Sequence, residues 1–389
     1  AQLAIESRAL SARAGGPRLS WDPRLPLNGR LDRLTGLRLL DNGRLAKQGP
    51  SKTSELAALV RAFPDASPDP RLFGDAARRR DLLISLARAI TPASRRQPLL
   101  SATPAARAIV REELERAERV VRNQAALGTV LTHLRSLERR LYPYQREGVE
   151  RFLRAGRLLL ADDMGLGKTT QAIAACHALF RAGTVRRGLV IVPASLKPQW
   201  LREWQDTTSV KAAIVDGTPA ERARQYRELK TGFLIIGYEQ LLRDFDSVQR
   251  LAPEIVVLDE AQRIKNYATK SAAFVKALDP EFRLVLTGTP MENRLEELAS
   301  ILDWVDDVAL APKWRLVPWY TAWQGDGGAS RKAGARDLDT LRLRMADCVV
   351  RRVRREVLAQ LPSRTDTRVP VEMTAQQLEE HDQLIQRIA

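Results

Sequence analysis

The chain has little cysteine and little histidine. Its 389 residues include two cysteines, Cys176 and Cys348, and three histidines, His133, His177 and His381. Two cysteines cannot form a disulfide framework, and the spacing of these five residues matches no zinc site. We therefore expect a reducing, cytoplasmic setting, with association with the nucleoid if the source is bacterial.

Long apolar runs are missing as well. No stretch approaches the roughly 18 consecutive apolar residues that a membrane-spanning helix needs, so no membrane partner is expected. The first residues, Ala1–Arg8, lack the basic and then apolar layout of a secretory signal. Because the chain starts without Met and ends at Ala389 within a helical pattern, we expect it to be a piece of a longer protein.

Positive charge is in excess and unevenly placed. The formal net charge is +16, and residues 1–140 hold 26 Lys and Arg against 14 Asp and Glu. Such a region predicts a polyanion-binding surface, because basic side chains neutralise phosphates and release counterions. A compositional bias is the alternative, since 52 of the 63 basic residues are Arg. A protein partner that binds residues 1–140 is also left open.

The pattern of the chain changes near Leu141. Before this residue helical spacing dominates, and no chemical motif is present. After it, short β-rich runs alternate with helix-compatible segments, which predicts an α/β fold with a parallel sheet covered by helices on both faces. The predicted strands are 157–161, 189–193, 212–215, 233–237, 255–258 and 284–287.

This change of pattern predicts three parts. The first is a separate, mainly helical and basic accessory domain over residues 1–140. The second is an α/β lobe over residues 141–310. The third, residues 311–389, is a helical extension.

A glycine-rich turn follows the first strand of this lobe. Its residues are Asp162, Asp163, Met164, Gly165, Leu166, Gly167, Lys168 and Thr169, and a helical pattern follows. Backbone N–H groups of such a turn approach phosphates closely, and the helix N-terminus adds a favourable dipole. Lys168 is predicted to reach the β- and γ-phosphates of ATP and Thr169 to bind Mg²⁺. The generic pattern has Gly where Asp162 stands.

Two carboxylates follow the apolar strand 255–258. A nucleotide-hydrolysing lobe needs one acidic group to hold Mg²⁺ and another to position the attacking water. Asp259 suits the first role and Glu260 the second. A third strand ends in Thr287-Gly288-Thr289-Pro290. Its small hydroxyl residues could sense the γ-phosphate, or the segment could simply form a turn and a helix N-cap.

These motifs resemble, in their order, the first RecA-like lobe of a Swi/Snf-type ATPase of helicase superfamily 2. The resemblance covers residues 141–389 and includes Asp162, which is the form that this family uses. The matching segments are Tyr144-Gln145, DDMGLGKT at 162–169, VPASL at 192–196, Tyr238-Glu239, DEAQRIKN at 259–266 and LTGTPMENRLEEL at 286–298. It implies that residues 141–310 form a RecA-like, ATP-binding lobe of a motor that uses ATP and Mg²⁺ to translocate on double-stranded DNA. It also implies a second RecA-like lobe beyond Ala389, with residues 311–389 starting the connection to it.

The resemblance also assigns roles to residues. Gln145 would recognise adenine, and the segment Asp162–Thr169 would bind the nucleotide. The residues expected along the DNA backbone are Ser195, Lys197, Tyr238, Lys265 and Asn266. This chain departs from the family at Gln262, where His is usual, and at Gly237, where Thr is frequent.

Other functions stay open at this point. An RNA or single-strand helicase would share the same ATP residues, and a scaffold without turnover is a less favoured alternative. The tryptophans favour core packing over base stacking. The run Arg351–Arg355 could bind phosphates or form a solvated helix face.

Overall fold

The structure is a computed structural model. It describes residues 104–264 without a gap, most of 266–288, 295–306, 338–357 and 373–388, and shorter pieces within 45–47, 77–88, 100–102, 320–324 and 331–335. Its strands are β1 (Leu45–Lys47), β2 (Leu100–Ala102), β3 (Arg157–Leu160), β4 (Arg187–Val192), β5 (Ala212–Ile214), β6 (Gly232–Gly237), β7 (Ile255–Leu258), β8 (Phe282–Leu286), β9 (Thr321–Gln324), β10 (Arg331–Ala335) and β11 (Val349–Val350).

Helices follow most of the strands. They are α1 (Pro104–Thr132), α2 (Pro143–Ala155), α3 (Lys168–Arg181), α4 (Lys197–Thr207), α5 (Pro219–Glu228), α6 (Tyr238–Arg243), α7 (Phe245–Leu251), α8 (Lys270–Lys276), α9 (Leu295–Val305), α10 (Leu338–Met345) and α11 (Ala375–Ile388). Short 3-10 turns lie at His133–Ser136, Ala194–Leu196, Ala261–Ile264 and Arg354–Glu356.

Seven strands form one parallel sheet in the order β11-β3-β8-β7-β4-β6-β5. The strand alternation in the sequence predicted this α/β class, and the prediction is confirmed. Each of the six predicted strands is present with its bounds shifted by at most two residues. The sequence did not indicate β11, which adds an edge beside β3.

Helices cover both faces of this sheet because successive strand residues point to opposite sides. Along β3, Leu158 and Leu160 pack in a core with α2, α3 and α4, whereas Leu159 packs in a second core with α6 to α9. All three residues are buried. Since both faces are covered, the polar positions of the lobe lie at the strand ends, where ligands of parallel sheets bind.

The long helix α1 packs against the lobe. Val130 belongs to the same core cluster as Phe152 of α2, and Leu127 and Leu131 pack against that cluster. Beyond α1, the backbone N–H of Glu138 donates to the carbonyl of Thr207 at 3.1 Å. The boundary predicted between residues 140 and 141 therefore runs through one core, and α1 is not part of a separate domain.

Candidate active site

The glycine-rich turn connects β3 to the N-terminus of α3. Gly165 and Gly167 have φ angles of +83° and +69°, in the left-handed region that disfavours other residues. Met164 is 74% exposed, whereas Leu166 is buried in a small cluster with Tyr144 and Val357. The turn is thus anchored by one apolar side chain and presents its backbone at the start of a 14-residue helix, which is the geometry that binds phosphate.

Lys168 lies between this turn and the acidic end of β7. Its Nζ donates to the carbonyl oxygens of Asp162 at 2.8 Å and Asp163 at 3.2 Å. Burial lowers the pKa of Lys168, and the nearby carboxylates, among them Asp259 and Glu260, oppose that shift. The segments that follow β3 and β7 therefore bring one cation and two acids close together. The phosphate and metal roles assigned to these residues from the sequence stay predictions.

Asp259 is held at both carboxylate oxygens. Its Oδ2 accepts from the indole Nε1 of Trp200 at 2.7 Å, and its Oδ1 accepts from the backbone N–H of Glu260 at 2.9 Å. The side chain is buried, and burial raises the pKa of Asp259, while the two hydrogen bonds act in the opposite direction. No pattern in the sequence indicated this role for Trp200, which lies 59 residues before Asp259 in the chain.

Glu260 has an unusual backbone. Its φ angle is +50°, one of two positive values among the non-glycine residues that the structure describes. Such a conformation costs on the order of 1–3 kcal/mol and tends to occur at functional sites. The carbonyl of Glu260 accepts from the N–H of Arg263 at 3.2 Å, so the 3-10 turn that follows holds this conformation.

The end of β8 completes the site. Thr287 is buried, and its hydroxyl donates to Oε1 of Gln262 at 3.5 Å. A side chain at Gly288 would place its Cβ 3.0 Å from Cγ of Met164 and 3.8 Å from Nζ of Lys168. The end of β8 thus approaches the turn closely at Gly288, and Gln262, which departs from the family pattern, still connects the segment after β7 to β8. Thr169, the predicted metal ligand, is half-buried at the second position of α3.

Gln145 braces the turn from α2. Its Oε1 accepts from the N–H of Tyr142 at 3.0 Å, and its Nε2 donates to the carbonyl of Leu166 at 3.3 Å. The same carbonyl accepts from the hydroxyl of Tyr144 at 3.1 Å. Gln145 is 5% exposed, so the contacts that the structure gives it are structural ones, and the adenine contact stays a prediction.

Asp162 does not face the nucleotide position. Its carboxylate is fully buried and accepts from Nη2 of Arg352 at 2.9 Å and from Nε2 of Gln171 at 3.1 Å. These partners occupy the carboxylate, because a buried carboxylate needs them. The carbonyl of Asp162 accepts from Lys168, and the nucleotide contact predicted for Asp162 as part of the turn stays a prediction.

The segment after β11 runs along the turn. The N–H of Asp163 donates to the carbonyl of Arg352 at 3.0 Å, and the N–H of Arg354 donates to Oδ2 of Asp163 at 2.9 Å. The guanidinium of Arg352 also lies over the ring of Tyr144 and donates to its carbonyl. The run Arg351–Arg355 is thus neither a continuous phosphate clamp nor a solvated helix face, because Arg352 points inward.

The predicted DNA contacts differ in exposure. Ser195 and Asn266 are exposed near the ends of β4 and β7, and Lys265 lies outside the described residues. Nζ of Lys197 is 3.5 Å from Oδ1 of Asp216. Tyr238 is buried, and its hydroxyl donates to the carbonyl of Asp259 at 2.7 Å, so its side chain is removed from any surface that a polymer could contact.

Comparison with known proteins matches residues 144–388 to the SNF2-related domain. The chain belongs to the SNF2-related family. The resemblance drawn from the motifs is thereby confirmed. The turn, the acidic pair and the end of β8 all fall inside the SNF2-related domain.

Individual relatives show the same likeness. The chain is 39% identical over 182 residues to the DNA excision repair protein ERCC-6-like of Bos taurus. This match covers 43% of this chain and 15% of the relative. It is 33% identical over 250 residues to an uncharacterized ATP-dependent helicase of Mycoplasma genitalium, covering 63% of this chain and 23% of the relative. The chain thus spans less than a quarter of the length of these two relatives.

A solved structure is also similar. The SWI2/SNF2 ATPase core of Sulfolobus solfataricus, in complex with double-stranded DNA, matches 58% of this chain and 48% of its own at 27% identity and a TM-score of 0.49.

Proposed function

We propose that this chain is the first RecA-like lobe of an ATP-driven motor that translocates on double-stranded DNA. The observation that carries the proposal is the meeting of Lys168, which follows β3, with Asp259 and Glu260, which follow β7, on either side of β8 within an SNF2-related domain. Each of these groups has a distinct task in phosphoryl transfer to water.

Each residue of the site has a role in binding or hydrolysing ATP. The N–H groups of the turn and Lys168 bind the β- and γ-phosphates of ATP. Glu260 orients the attacking water and accepts its proton as the water oxygen bonds to the γ-phosphorus. The bond from the γ-phosphorus to the β,γ-bridging oxygen breaks, and ADP is the leaving group. Gln145, which holds the turn from α2, would contact the adenine edge with its remaining amide hydrogen.

Magnesium fits the donor groups at this site. Among the residues that the structure describes, no three His, Cys, Asp or Glu side chains are arranged to hold a metal ion. Mg²⁺ in nucleotide sites is held by one or two carboxylates together with substrate phosphates and waters. Asp259 and Thr169 supply one carboxylate and one hydroxyl. Bound Mg²⁺ would neutralise charge that develops on the phosphates.

Duplex DNA is the proposed polymer. The solved relative is described as a complex with double-stranded DNA, and another relative, 29% identical over 266 residues, is the Chromodomain-helicase-DNA-binding protein 8 of Danio rerio. Ser195, Lys197, Lys265 and Asn266 are the proposed backbone contacts, and the basic residues before α1 are a proposed accessory surface for DNA or a protein partner.

A second lobe belongs to this proposal. The arginine that stabilises the transition state is expected from a RecA-like lobe beyond Ala389, and such an arginine accelerates hydrolysis by about 10³–10⁵-fold. The 389 residues alone are therefore expected to bind ATP and to hydrolyse it slowly. A cytoplasmic or nucleoid location goes with this function. No helix within the described residues is long and apolar enough to cross a membrane.

An RNA or single-strand helicase is the second candidate in the same enzyme class. Stimulation of ATP hydrolysis by duplex DNA, single-stranded DNA and RNA separates the two. Greater stimulation by duplex DNA is expected, and greater stimulation by RNA would contradict the proposal.

A further inference from the structure

One buried hydrogen bond reaches the proposed metal ligand, Asp259, from helix α4 rather than from the ends of β3, β7 or β8. The indole Nε1 of Trp200 donates to Oδ2 of Asp259 at 2.7 Å. Trp200 is 2% exposed and Asp259 is 8% exposed. The indole N–H of tryptophan can only donate, and a hydrogen bond to a carboxylate in a buried place is stronger than one between neutral groups.

The indole is held firmly in this position. Trp200 lies on the first turn of α4, whose N-terminal residue Lys197 binds the carbonyl of Val215 and the carboxylate of Asp216. The ring itself belongs to the core cluster formed by β4, β6, α3 and α4. Because a packed core allows few rotamers, the indole ring of Trp200 has one position. Its N–H therefore holds the acceptor, Oδ2 of Asp259, in one position as well.

The bond therefore determines how the carboxylate of Asp259 is turned. Oδ2 accepts from Trp200 while Oδ1 accepts from the backbone of Glu260, so rotation about the last side-chain bond would break both contacts. Each oxygen has a further lone pair, and the two hydrogen bonds fix the direction of these lone pairs.

We propose that Trp200 is a positioning residue, which orients the Asp259 carboxylate for the Mg²⁺ ion of bound ATP. The proposal rests on the metal role proposed for Asp259. Groups that orient a metal ligand typically change metal affinity or activity by about 10- to 100-fold when they are removed. A residue that only packs would change stability without a change in the response to magnesium.

The chain offers a matched control in the same helix. Trp204 is equally buried, and its Nε1 donates to the carbonyl of Val210 at 2.7 Å. Trp200→Phe and Trp204→Phe thus each remove one indole hydrogen bond from one core, but only the first acts on Asp259. Trp200→His keeps a ring N–H that can donate to Asp259. Nε2 of histidine is as many bonds from Cα as Nε1 of tryptophan, but the side chain is smaller.

The test measures the affinity of the chain for a fluorescent ATP analogue, in EDTA and across a magnesium titration. Trp200→Phe should bind the analogue normally in EDTA and need about 10-fold more Mg²⁺ for the same gain in affinity. Trp204→Phe should need no more Mg²⁺ than the wild type. Trp200→His should respond to Mg²⁺ better than Trp200→Phe, although it leaves a larger cavity.

Three results would overturn the proposal. They are an unchanged magnesium requirement in Trp200→Phe, an equal change in Trp204→Phe, and a worse response in Trp200→His than in Trp200→Phe. Asp259→Asn tests the proposed metal role of Asp259 separately from the role of Trp200. If Asp259→Asn needs no more Mg²⁺ than the wild type, Asp259 does not bind the metal, and the proposed function fails at this residue.

A second measurement covers the case in which Trp200→Phe does not fold. In the ¹⁵N-labelled wild-type chain bound to the analogue, one indole N–H resonance should shift when Mg²⁺ is added, and the same resonance should be displaced in Asp259→Asn. Indole resonances that are all insensitive to Mg²⁺ would overturn the proposal.

Discussion

The guanidinium of Arg352 and the carboxylate of Asp162 form a buried ion pair, with Nη2 2.9 Å from Oδ2. The residues are 190 positions apart in the chain. Asp162 begins the phosphate-binding turn, and Arg352 lies just past β11 on the segment that leads toward the C-terminus. The pair explains why this turn has an Asp where generic phosphate-binding turns have Gly: the side chain serves as an anchor for that segment.

Arg352→Met should destabilise the chain by about 3–5 kcal/mol, because it leaves the Asp162 carboxylate buried without its cation. Chemical denaturation followed by circular dichroism measures the loss. Arg351→Met is the matched control, since Arg351 is exposed and surface changes usually stay within about 0.5 kcal/mol. Equal effects of the two substitutions would show that the ion pair does not hold the fold. Asp162→Asn combined with Arg352→Met should lose less than the sum of the single losses.

Lys168→Ala should abolish binding of ATP and its hydrolysis, because it removes the cation that opposes the β- and γ-phosphates. Equilibrium binding of a fluorescent ATP analogue measures the first effect directly. Lys211→Ala removes an exposed lysine and should bind the analogue as the wild type does. Affinity within twofold of the wild type in Lys168→Ala would contradict the assignment of the turn.

Glu260→Gln should retain ATP binding while hydrolysis falls by at least about 100-fold, the usual contribution of a positioned base. Binding persists because Asp259 and Lys168 are intact. Single-turnover hydrolysis and analogue binding on the same preparation separate the two effects. Normal turnover in Glu260→Gln would mean that another group positions the water.

Deletion of residues 1–103 should weaken DNA binding and leave ATP binding intact. The deleted part has 18 Lys and Arg against 9 Asp and Glu, and each lost phosphate contact reduces the salt slope of log affinity by about 0.9. Titrations of duplex DNA at several salt concentrations measure the slope. An unchanged slope and affinity would mean that the basic excess is compositional.

Deletion of residues 1–140 is the contrasting variant. It removes α1, whose Val130 belongs to the core cluster of the lobe. We expect this variant to unfold at a lower temperature than the 1–103 deletion, because it exposes apolar surface of α2 and α3. Equal melting temperatures would mean that α1 does not stabilise the lobe. They would support the domain boundary between residues 140 and 141 that the sequence predicts.

The sequence predicts the sheet well for a physical reason. Strands buried on both faces, such as β4 and β7, are continuous apolar runs, and the residues after them lie at one edge whatever the details of packing. Lys168, Asp259 and Glu260 could therefore be predicted. The two residues of β11 carry no pattern of their own and form a strand only because the neighbouring segment pairs with β3.

What the sequence misses depends on contacts between distant segments. Trp200 and Arg352 reach the site from other elements, and no local spacing reveals the carboxylate that each of them binds. Tyr238 shows the opposite error, since its family motif suggested a polymer contact and the core encloses its ring. Burial is a tertiary property, and a motif match does not determine it.

The central claim, an ATP-driven motor on duplex DNA, is tested most directly by the rate of ATP hydrolysis in the presence of saturating duplex DNA, single-stranded DNA or RNA. The measurement uses a chain that includes the proposed second lobe, with Glu260→Gln as the blank. Duplex DNA should raise the rate most, and the blank should stay inactive with every polymer. A rate that no polymer changes, or that RNA or single-stranded DNA raises as much as duplex DNA does, would contradict it.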